Sequence, residues 1–289
     1  MTEFVQPGSI QELQALLPQL PARTAVLAGG TDLMPKIRSQ HPDYDCMLSL
    51  WGIPELRGIE EQDGWLRIGA MVTHAMAAAD ASVGRYFAGL QMACSHVGSQ
   101  QIRNKGTLCG SLINASPAGD IMPCVFLYGG EVEILGVDGS RRVAAQAFLN
   151  ESGKPVMAPN EILLAIWLPI DPERKSCFVK LGSRREVTIA QISICAAWKD
   201  REGQPDICCA YVGAIDRRPL PFPNAALLGS AATAEAAAAA LRDEIRAIRQ
   251  RRSRPPKLKI TEAEQLYKER AARGVVYDAM ASMGVLENH

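Results

Sequence analysis

Two loops rich in glycine and hydroxyl side chains are the stretches of this sequence best suited to hold a ligand. The first consists of Ala28, Gly29, Gly30, Thr31 and Asp32. It directly follows a predicted strand and precedes a predicted helix. Consecutive glycines let a phosphate approach the backbone, and the amides and dipole at the start of a helix favour an anion. This first loop therefore predicts an anion site.

The second loop covers residues 106–120 and is long for a simple connection. Its small residues and hydroxyl groups could line a long polar ligand, and Asp120 could accept a hydrogen bond from a diol or a ribose. Neither loop has the Walker or G-x-G-x-x-G sequence, and either one alone is more often a turn or an exposed connection. Two such loops in one α/β unit, each ending in Asp before a helix, favour a dinucleotide site.

Composition excludes several classes of protein. The chain has 289 residues, 31 basic against 31 acidic side chains, and 47% hydrophobic residues. A chain of this length predicts two domains, and its hydrophobic content argues against disorder. A net charge of zero argues against a general binder of nucleic acid or of membrane surfaces. We see no basic-then-apolar signal and no apolar stretch of membrane-spanning length, which predicts a cytoplasmic protein without a membrane span.

The cysteines and histidines give no sign of a metal centre. None of the eight cysteines forms a C-x-x-C pair, so the chain alone is not expected to hold zinc or an iron–sulfur cluster. Cys109 is the one thiol in a candidate ligand loop, and a small packing residue is the favoured interpretation. His74 and His96 lie in helical patterns and are interpreted as satisfied residues on helix faces.

The first half of the chain alternates strands and helices. A helix is predicted to begin at Ser9 with Glu12 completing a capping box, and a β-α-β unit is predicted over 24–50. The turn residues at 62–64 indicate a hairpin. Helices are also predicted over 82–96 and 121–128, strands over 131–135 and 161–169, and a long loop over 98–120.

The second half has a different pattern. Three successive strands are predicted over 177–181, 189–198 and 207–215, which favours an antiparallel meander. Two helices follow, over 231–252 and 261–283, separated by a Pro-Pro pair. The expected domains are residues 1–172 and 173–289, both of α+β architecture.

Five stretches of sequence together resemble one known family. They are Leu27-Ala-Gly-Gly-Thr-Asp-Leu, the run from Gln101 to Asp120 (QIRNKGTLCGSLINASPAGD), Glu161-Ile-Leu, the segment from Lys180 to Ala190, and Tyr267-Lys-Glu-Arg-Ala-Ala-Arg in the last helix. The chain resembles the FAD-binding (medium) subunit of molybdenum hydroxylases, which include xanthine dehydrogenase FAD-binding subunits and carbon monoxide dehydrogenase medium subunits. The resemblance covers nearly the whole chain, and the two loops in this order are specific.

The resemblance implies a fold, a cofactor and a set of site residues. The fold would be α+β, with a two-subdomain FAD-binding domain of the vanillyl-alcohol-oxidase-like type and a smaller domain with an antiparallel sheet and C-terminal helices. The first loop would hold the FAD pyrophosphate, Leu163 would pack near the adenine or flavin rim, and Lys180 would act as the catalytic cation at the flavin end. Residues of the second loop would line the pyrophosphate, ribityl and ribose side of the cofactor: Thr107, Gly110, Ser111, Asn114, Ser116 and Asp120.

The sequence departs from the family pattern at three positions. Cys109 and Ser111 stand where the family usually has Gly and Asn on either side of Gly110. A side chain at 109 is compatible with the ligand only if it points away from it, and Ser111 has a shorter polar reach. Thr188 stands where the family often has Asp. These departures bear on single residues more than on the FAD assignment.

The function implied is electron transfer without oxidation of the organic substrate by this chain. A molybdopterin-binding large subunit and a [2Fe–2S] small subunit would be its partners, and FAD would pass electrons to NAD+ or another acceptor. Two alternatives stay open: a stand-alone FAD-dependent oxidase or dehydrogenase, and a non-enzymatic interaction module. Residues 242–259, with eight basic and two acidic side chains, could meet an acidic partner subunit or form a solvated helix face.

Overall fold

The computed structural model describes residues 3–184, 187–251 and 262–287, and its architecture is α+β with three sheets. The predicted β-α-β unit is confirmed as β2 (Thr24–Leu27), α2 (Leu33–Gln40) and β3 (Cys46–Ser49). β2 and β3 pair in parallel, and a strand that we did not predict, β1 (Glu3–Val5), pairs with the other edge of β3.

The first helix, α1 (Ile10–Leu16), begins as its capping signal indicates. The Ser9 hydroxyl accepts from the Glu12 amide at 3.1 Å. The Glu12 carboxylate accepts from the Gly8 amide at 2.7 Å, one residue before the position that a strict capping box would use. Ser9 and Glu12, the two residues of the predicted capping box, therefore both form hydrogen bonds at the start of this helix.

A five-stranded antiparallel sheet forms the second layer of this half, in the order β4-β5-β8-β6-β7. The predicted hairpin is confirmed, because Asp63 and Gly64 take φ values of +49° and +79° and reverse the chain between β4 and β5. The strands are β4 (Ile59–Gln62), β5 (Trp65–Gly69), β6 (Glu131–Gly136), β7 (Gly139–Ala144) and β8 (Ile162–Pro169).

Short helices connect these two sheets, and here two predictions were wrong. The helix predicted over 82–96 is interrupted at Phe87, whose buried ring packs edge-on against Tyr128 with ring centroids 4.9 Å apart. The loop predicted over 98–120 contains two short helices, each capped by a hydroxyl side chain, from Ser99 and from Thr107. The helices are α3 (His74–Ala79), α4 (Ala81–Tyr86), α5 (Ala88–His96), α6 (Gln100–Arg103), α7 (Leu108–Asn114), α8 (Ile121–Leu127) and α9 (Ala145–Phe148).

The predicted meander is confirmed as an antiparallel sheet in the order β12-β11-β10-β9. Its strands are β9 (Lys175–Gly182), β10 (Ala190–Arg201), β11 (Gln204–Gly213) and the two-residue β12 (Leu220–Pro221). Helices α10 (Ala234–Arg251) and α11 (Glu262–Ser282) follow, and the predicted ends at 252 and 261 lie outside the described residues. Residues 252–259 of the basic run also lie outside them.

Strand β10 is buried on both faces, which explains its unbroken apolar sequence. Ile194 and Ala196 belong to the hydrophobic cluster under α10 and α11. Cys195 and Ala197, on the opposite face, belong to the cluster of the N-terminal half. The C-terminal sheet therefore lies between the two cores, and the boundary at 171–172 stays a prediction.

A buried hydrogen-bond network also joins the two halves. The Tyr128 hydroxyl lies 2.8 Å from the Ser176 hydroxyl and accepts from the Leu90 amide at 3.2 Å. Ser176, on β9, accepts in turn from the Gly89 amide at 3.0 Å. Because these groups are buried, each of them depends on the others for its hydrogen bonds. No helix among the described residues is long and apolar enough to cross a membrane.

We predict that Tyr128→Phe lowers the free energy of unfolding by about 1–2 kcal/mol, because it leaves buried polar groups without their partner. Urea unfolding measures this loss. Tyr86→Phe is the matched control, because Tyr86 is also buried but its hydroxyl forms no hydrogen bond with the described residues. Equal losses in the two variants would contradict the role assigned to the network.

Candidate functional site

The two glycine-rich loops meet backbone to backbone. A Cβ atom built on Gly29 would lie 2.0 Å from the carbonyl oxygen of Lys105, which no side chain can tolerate. The second loop is held against α3 as well, because the His74 amide donates to the Gly106 carbonyl at 3.0 Å and the Leu108 amide to the Val72 carbonyl at 3.2 Å. The structure thus brings the first loop, at Gly29, against the start of the second, at Lys105 and Gly106, although Gly29 and Lys105 are 76 residues apart in sequence.

The first loop presents open amides at the start of α2. Gly30 takes a φ of +73°, which glycine adopts without strain. The amides of Gly30, Thr31 and Asp32 donate to no group within residues 3–184, 187–251 and 262–287. Open amides at a helix N-terminus are suited to bind a phosphate. The Ala28 carbonyl is held by the indole Nε1 of Trp51 at 2.7 Å.

Asn114 connects the two loops on their exposed side. Its side-chain oxygen accepts from Lys36 Nζ at 2.9 Å, and its amide nitrogen donates to Asp32 Oδ1 at 3.1 Å. At the other end of α7 the Thr107 hydroxyl accepts from the Gly110 amide at 3.0 Å. Ser116 is exposed, in the turn after α7, where its hydroxyl accepts from the Ala118 amide at 3.3 Å. Asn114 therefore contacts the first loop directly, whereas Thr107 caps α7 and Ser116 lies in the turn after it.

Asp120 and Lys180 form a buried ion pair at the end of the second loop. Their side chains are each 7% exposed, and Lys180 Nζ donates to Asp120 Oδ2 at 2.6 Å and to the His96 carbonyl at 2.7 Å. Burial raises the pKa of the Asp120 carboxyl, and the Lys180 cation opposes that rise. Asp120 Oδ1 is buried and has no partner among the described residues. This oxygen is available to accept from a ligand hydroxyl.

An apolar cavity of about 260 Å³ opens beside the first loop. Leu163 lines it from β8, and Cys109 lines it from α7. Burial raises the pKa of the Cys109 thiol to about 12, and its side chain belongs to the hydrophobic core, in agreement with its interpretation as a packing residue. Other lining residues include Val26, Ala28, Leu50, Gly110, Ile113 and Met157. The cavity could accept one face of an aromatic ring.

His74 is a site residue that the sequence interpretation missed. Its ring is 2% exposed, with Nε2 3.1 Å from the Ser111 hydroxyl, but its Nδ1 has no partner among the described residues. The interpretation of His74 as a satisfied helix-face residue was therefore wrong. Burial, with a smaller contribution from Arg103, lowers the pKa of His74 to about 4. The one local signal in the sequence was Thr73, whose hydroxyl caps α3 and so marks the start of the helix that carries His74.

The departure at Thr188 has a local structural role. Its hydroxyl accepts from the Ser183 amide at 3.0 Å across the turn between β9 and β10. Residues 185 and 186 of this turn lie outside the described part of the chain. Within that described part, no group of three His, Cys, Asp or Glu side chains is arranged to hold a metal ion.

Comparisons with known proteins agree on one family. The family described as "FAD binding domain in molybdopterin dehydrogenase" matches residues 1–171. A nicotinate dehydrogenase FAD-subunit from Eubacterium barkeri is 30% identical over 247 residues, which cover 83% of each chain. A nicotine 6-hydroxylase medium subunit from Paenarthrobacter nicotinovorans is 30% identical over 169 residues, which span only 59% of that subunit and 58% of this chain.

Solved structures extend the likeness to the whole fold. A chain of a Cu,Mo-CO dehydrogenase superposes with a TM-score of 0.83 at 22% identity, covering 98% of this chain and 97% of that one. A chain of quinoline 2-oxidoreductase from Pseudomonas putida 86 gives the same TM-score at 23% identity, covering 98% of both. These likenesses show the fold, and they confirm the α+β class that the sequence predicts.

The chain belongs to the family of FAD-binding domains of molybdopterin dehydrogenases. It is a flavoprotein of the oxidoreductase class, and its cofactor is FAD. The residues present fit that cofactor in three respects. Open amides at Gly30 to Asp32 suit a pyrophosphate, the cavity beside Leu163 suits an aromatic ring, and the unpartnered Asp120 Oδ1 suits a hydroxyl.

We predict that Gly29→Ala separates the two loops, because the new Cβ would overlap the Lys105 carbonyl. The variant should lose more than about 1 kcal/mol of stability and most of its FAD, as measured by urea unfolding and by the flavin absorbance of the purified protein. Gly274→Ala is the control. A Cβ there meets nothing within 4 Å, and alanine in a helix interior is neutral or stabilising. Normal FAD content in the Gly29 variant would contradict the contact.

The buried His74 predicts a loss of stability in mild acid. The unfolded chain takes up a proton near the ordinary pKa of 6.5, whereas the folded protein does so only near 4. The stability linked to the neutral His74 ring is therefore fully present above pH 6.5, and it declines as the pH falls toward 4. The contribution of His74 should drop by about 2 kcal/mol between pH 7.5 and pH 5.

Urea unfolding at these two pH values measures the change. His74→Gln should abolish that part of the decline, whereas His96→Gln, which replaces an exposed ring, should retain it. An unchanged decline in the His74 variant would refute the assignment.

Proposed function

We propose that this chain is the FAD-carrying electron-transfer subunit of a molybdenum hydroxylase complex. Its partners would be a molybdopterin-binding large subunit and a [2Fe–2S] small subunit, and its final acceptor would be NAD+ or another oxidant. The observation that carries the proposal is the junction of the two loops, where open amides lie beside an apolar cavity, and a buried ion pair stands at the end of the second loop. The full-length likeness to a chain of a CO dehydrogenase supports it.

Different residues of the junction would contact different parts of the cofactor. The amides of Gly29, Gly30, Thr31 and Asp32 would hold the pyrophosphate, and the second loop would enclose the same group from the other side through Thr107, Gly110, Ser111, Asn114 and Ser116. Leu163 would contact the adenine or the flavin rim. Asp120 would accept from a hydroxyl of the ribose or the ribityl chain. Bound FAD supplies one-electron and two-electron chemistry, which joins cluster donors to a two-electron acceptor.

Lys180 is the residue we assign to the flavin end of the site. Its ammonium group is buried, and Asp120 and the His96 carbonyl hold it in place. A fixed cation with little access to water stabilises negative charge on a neighbouring group far more than an exposed lysine does. Lys180 would therefore favour electron uptake by the cofactor, and its attachment to β9 would make the C-terminal sheet part of the site.

Purification from the native organism tests the assignment to a complex. A yellow protein that releases FAD on denaturation, together with a molybdopterin protein and an iron–sulfur protein in the same preparation, is the expected result. Full substrate turnover by the isolated chain would instead indicate a stand-alone flavin oxidase or dehydrogenase. A colourless chain that cannot be reconstituted with FAD would contradict both the subunit assignment and the stand-alone flavin enzyme.

We predict that Asp120→Ala weakens FAD retention by about tenfold or more, because it removes a buried carboxylate acceptor and leaves Lys180 without its counter-ion. Equilibrium dialysis against FAD measures the change. Asp278→Ala serves as a control, because Asp278 is an exposed carboxylate on α11. Unchanged FAD affinity in the Asp120 variant would refute its contact with the cofactor.

A further inference from the structure

The buried ring of His74 lies beneath the junction of the two loops. A Cβ built on Gly106 would come within 3.3 Å of His74 Cδ2 and within 3.2 Å of the Thr31 hydroxyl. The imidazole and the Thr31 hydroxyl of the first loop therefore both lie beside the position that a side chain at residue 106 would occupy. The His74 amide donates to the carbonyl of the same glycine, so the position of the ring is fixed relative to both loops.

The ring has one side-chain partner among the described residues, and that partner is Ser111 on α7. The distance from His74 Nε2 to the Ser111 hydroxyl is 3.1 Å, and Nδ1 is buried without a partner. Two hydrogen-bond directions are compatible with this geometry. Either the ring donates Nε2–H to the serine oxygen, or the serine donates its O–H to Nε2. Only the first direction leaves the serine O–H free to donate to a ligand.

We infer that His74 is a positioning residue for FAD, which donates Nε2–H to Ser111 and thereby directs the Ser111 O–H toward the cofactor pyrophosphate. The inference rests on the proposed FAD contacts of the second loop. The opposite direction would present serine lone pairs to an anion and would bury an unpaired Nδ1–H group in the ring.

Two further features favour this direction. Burial and the nearby Arg103 keep the ring neutral, so it carries a single N–H group, and only at Nε2 does that group meet a partner among the described residues. Ser111 also has a shorter reach than the Asn that the resemblance leads one to expect at this position. A hydroxyl held by a buried ring is a way to supply a directed donor with that short side chain.

FAD binding to the refolded or reconstituted full chain tests the inference with four variants: His74→Gln, His74→Leu, Ser111→Ala and the double variant His74→Leu/Ser111→Ala. Ser111→Ala and His74→Leu should each weaken FAD binding about tenfold, because the first removes the hydrogen bond from the serine to the charged pyrophosphate and the second removes the hydrogen bond that directs it. The double variant should bind no more weakly than either single variant. His74→Gln, whose side-chain amide can donate in place of Nε2–H, should stay within about threefold of the wild type.

ADP, which keeps the pyrophosphate and lacks the flavin, is the second probe. Its affinity should fall by the same factors as that of FAD. Additive losses in the double variant, a Gln variant as weak as the Leu variant, or unchanged ADP binding would each overturn the inference. If His74→Leu does not fold, Ser111→Ala and His74→Gln still decide it, because normal FAD binding by the serine variant contradicts it. A wild-type chain that fails to bind FAD would overturn the proposed function itself.

Discussion

The backbone contact between Gly29 and Lys105 is the constraint on which the rest of the site depends. At this point the first loop leaves the parallel sheet and the second loop leaves the helices that pack on the five-stranded sheet. A contact this close requires glycine, since any Cβ would displace one of the two backbones. Once the loops are joined, the open amides of the first loop, the Asn114 bridge and the His74–Ser111 pair all fall within one small region.

The buried pair of Asp120 and Lys180 is a second constraint, and it joins the two halves of the chain. A buried ion pair contributes little net stability, because the desolvation of both groups offsets their attraction. The role of this ion pair is to hold the two halves in a fixed relative position. Lys180 comes from the sheet that lies between the two cores, and Asp120 comes from the end of the second loop. The Tyr128–Ser176 network fixes the same two halves nearby, so the cation stands at a defined place relative to the loops.

Much of this architecture follows from local patterns. Turn residues predicted the hairpin at 62–64, three successive strand patterns predicted the C-terminal meander, and both are confirmed. The errors occur where tertiary packing overrides the pattern. Phe87 breaks a helix because its ring is buried against Tyr128, and the second loop contains α6 and α7 because Ser99 and Thr107 cap short helices that a periodicity test does not detect. The edge strand β1 was missed because three residues carry too little pattern.

The sequence by itself determined the family, the cofactor and the position of the two glycine-rich loops, because glycine and hydroxyl residues at fixed positions are local properties of the chain. Only the tertiary structure decided which side chains share the site. His74 looks like an ordinary helix residue until the contact with Gly106 places its ring under both loops. Lys180 and Asp120 are 60 residues apart, and no spacing rule pairs them. Such pairings depend on how separate elements pack, which the local sequence does not encode.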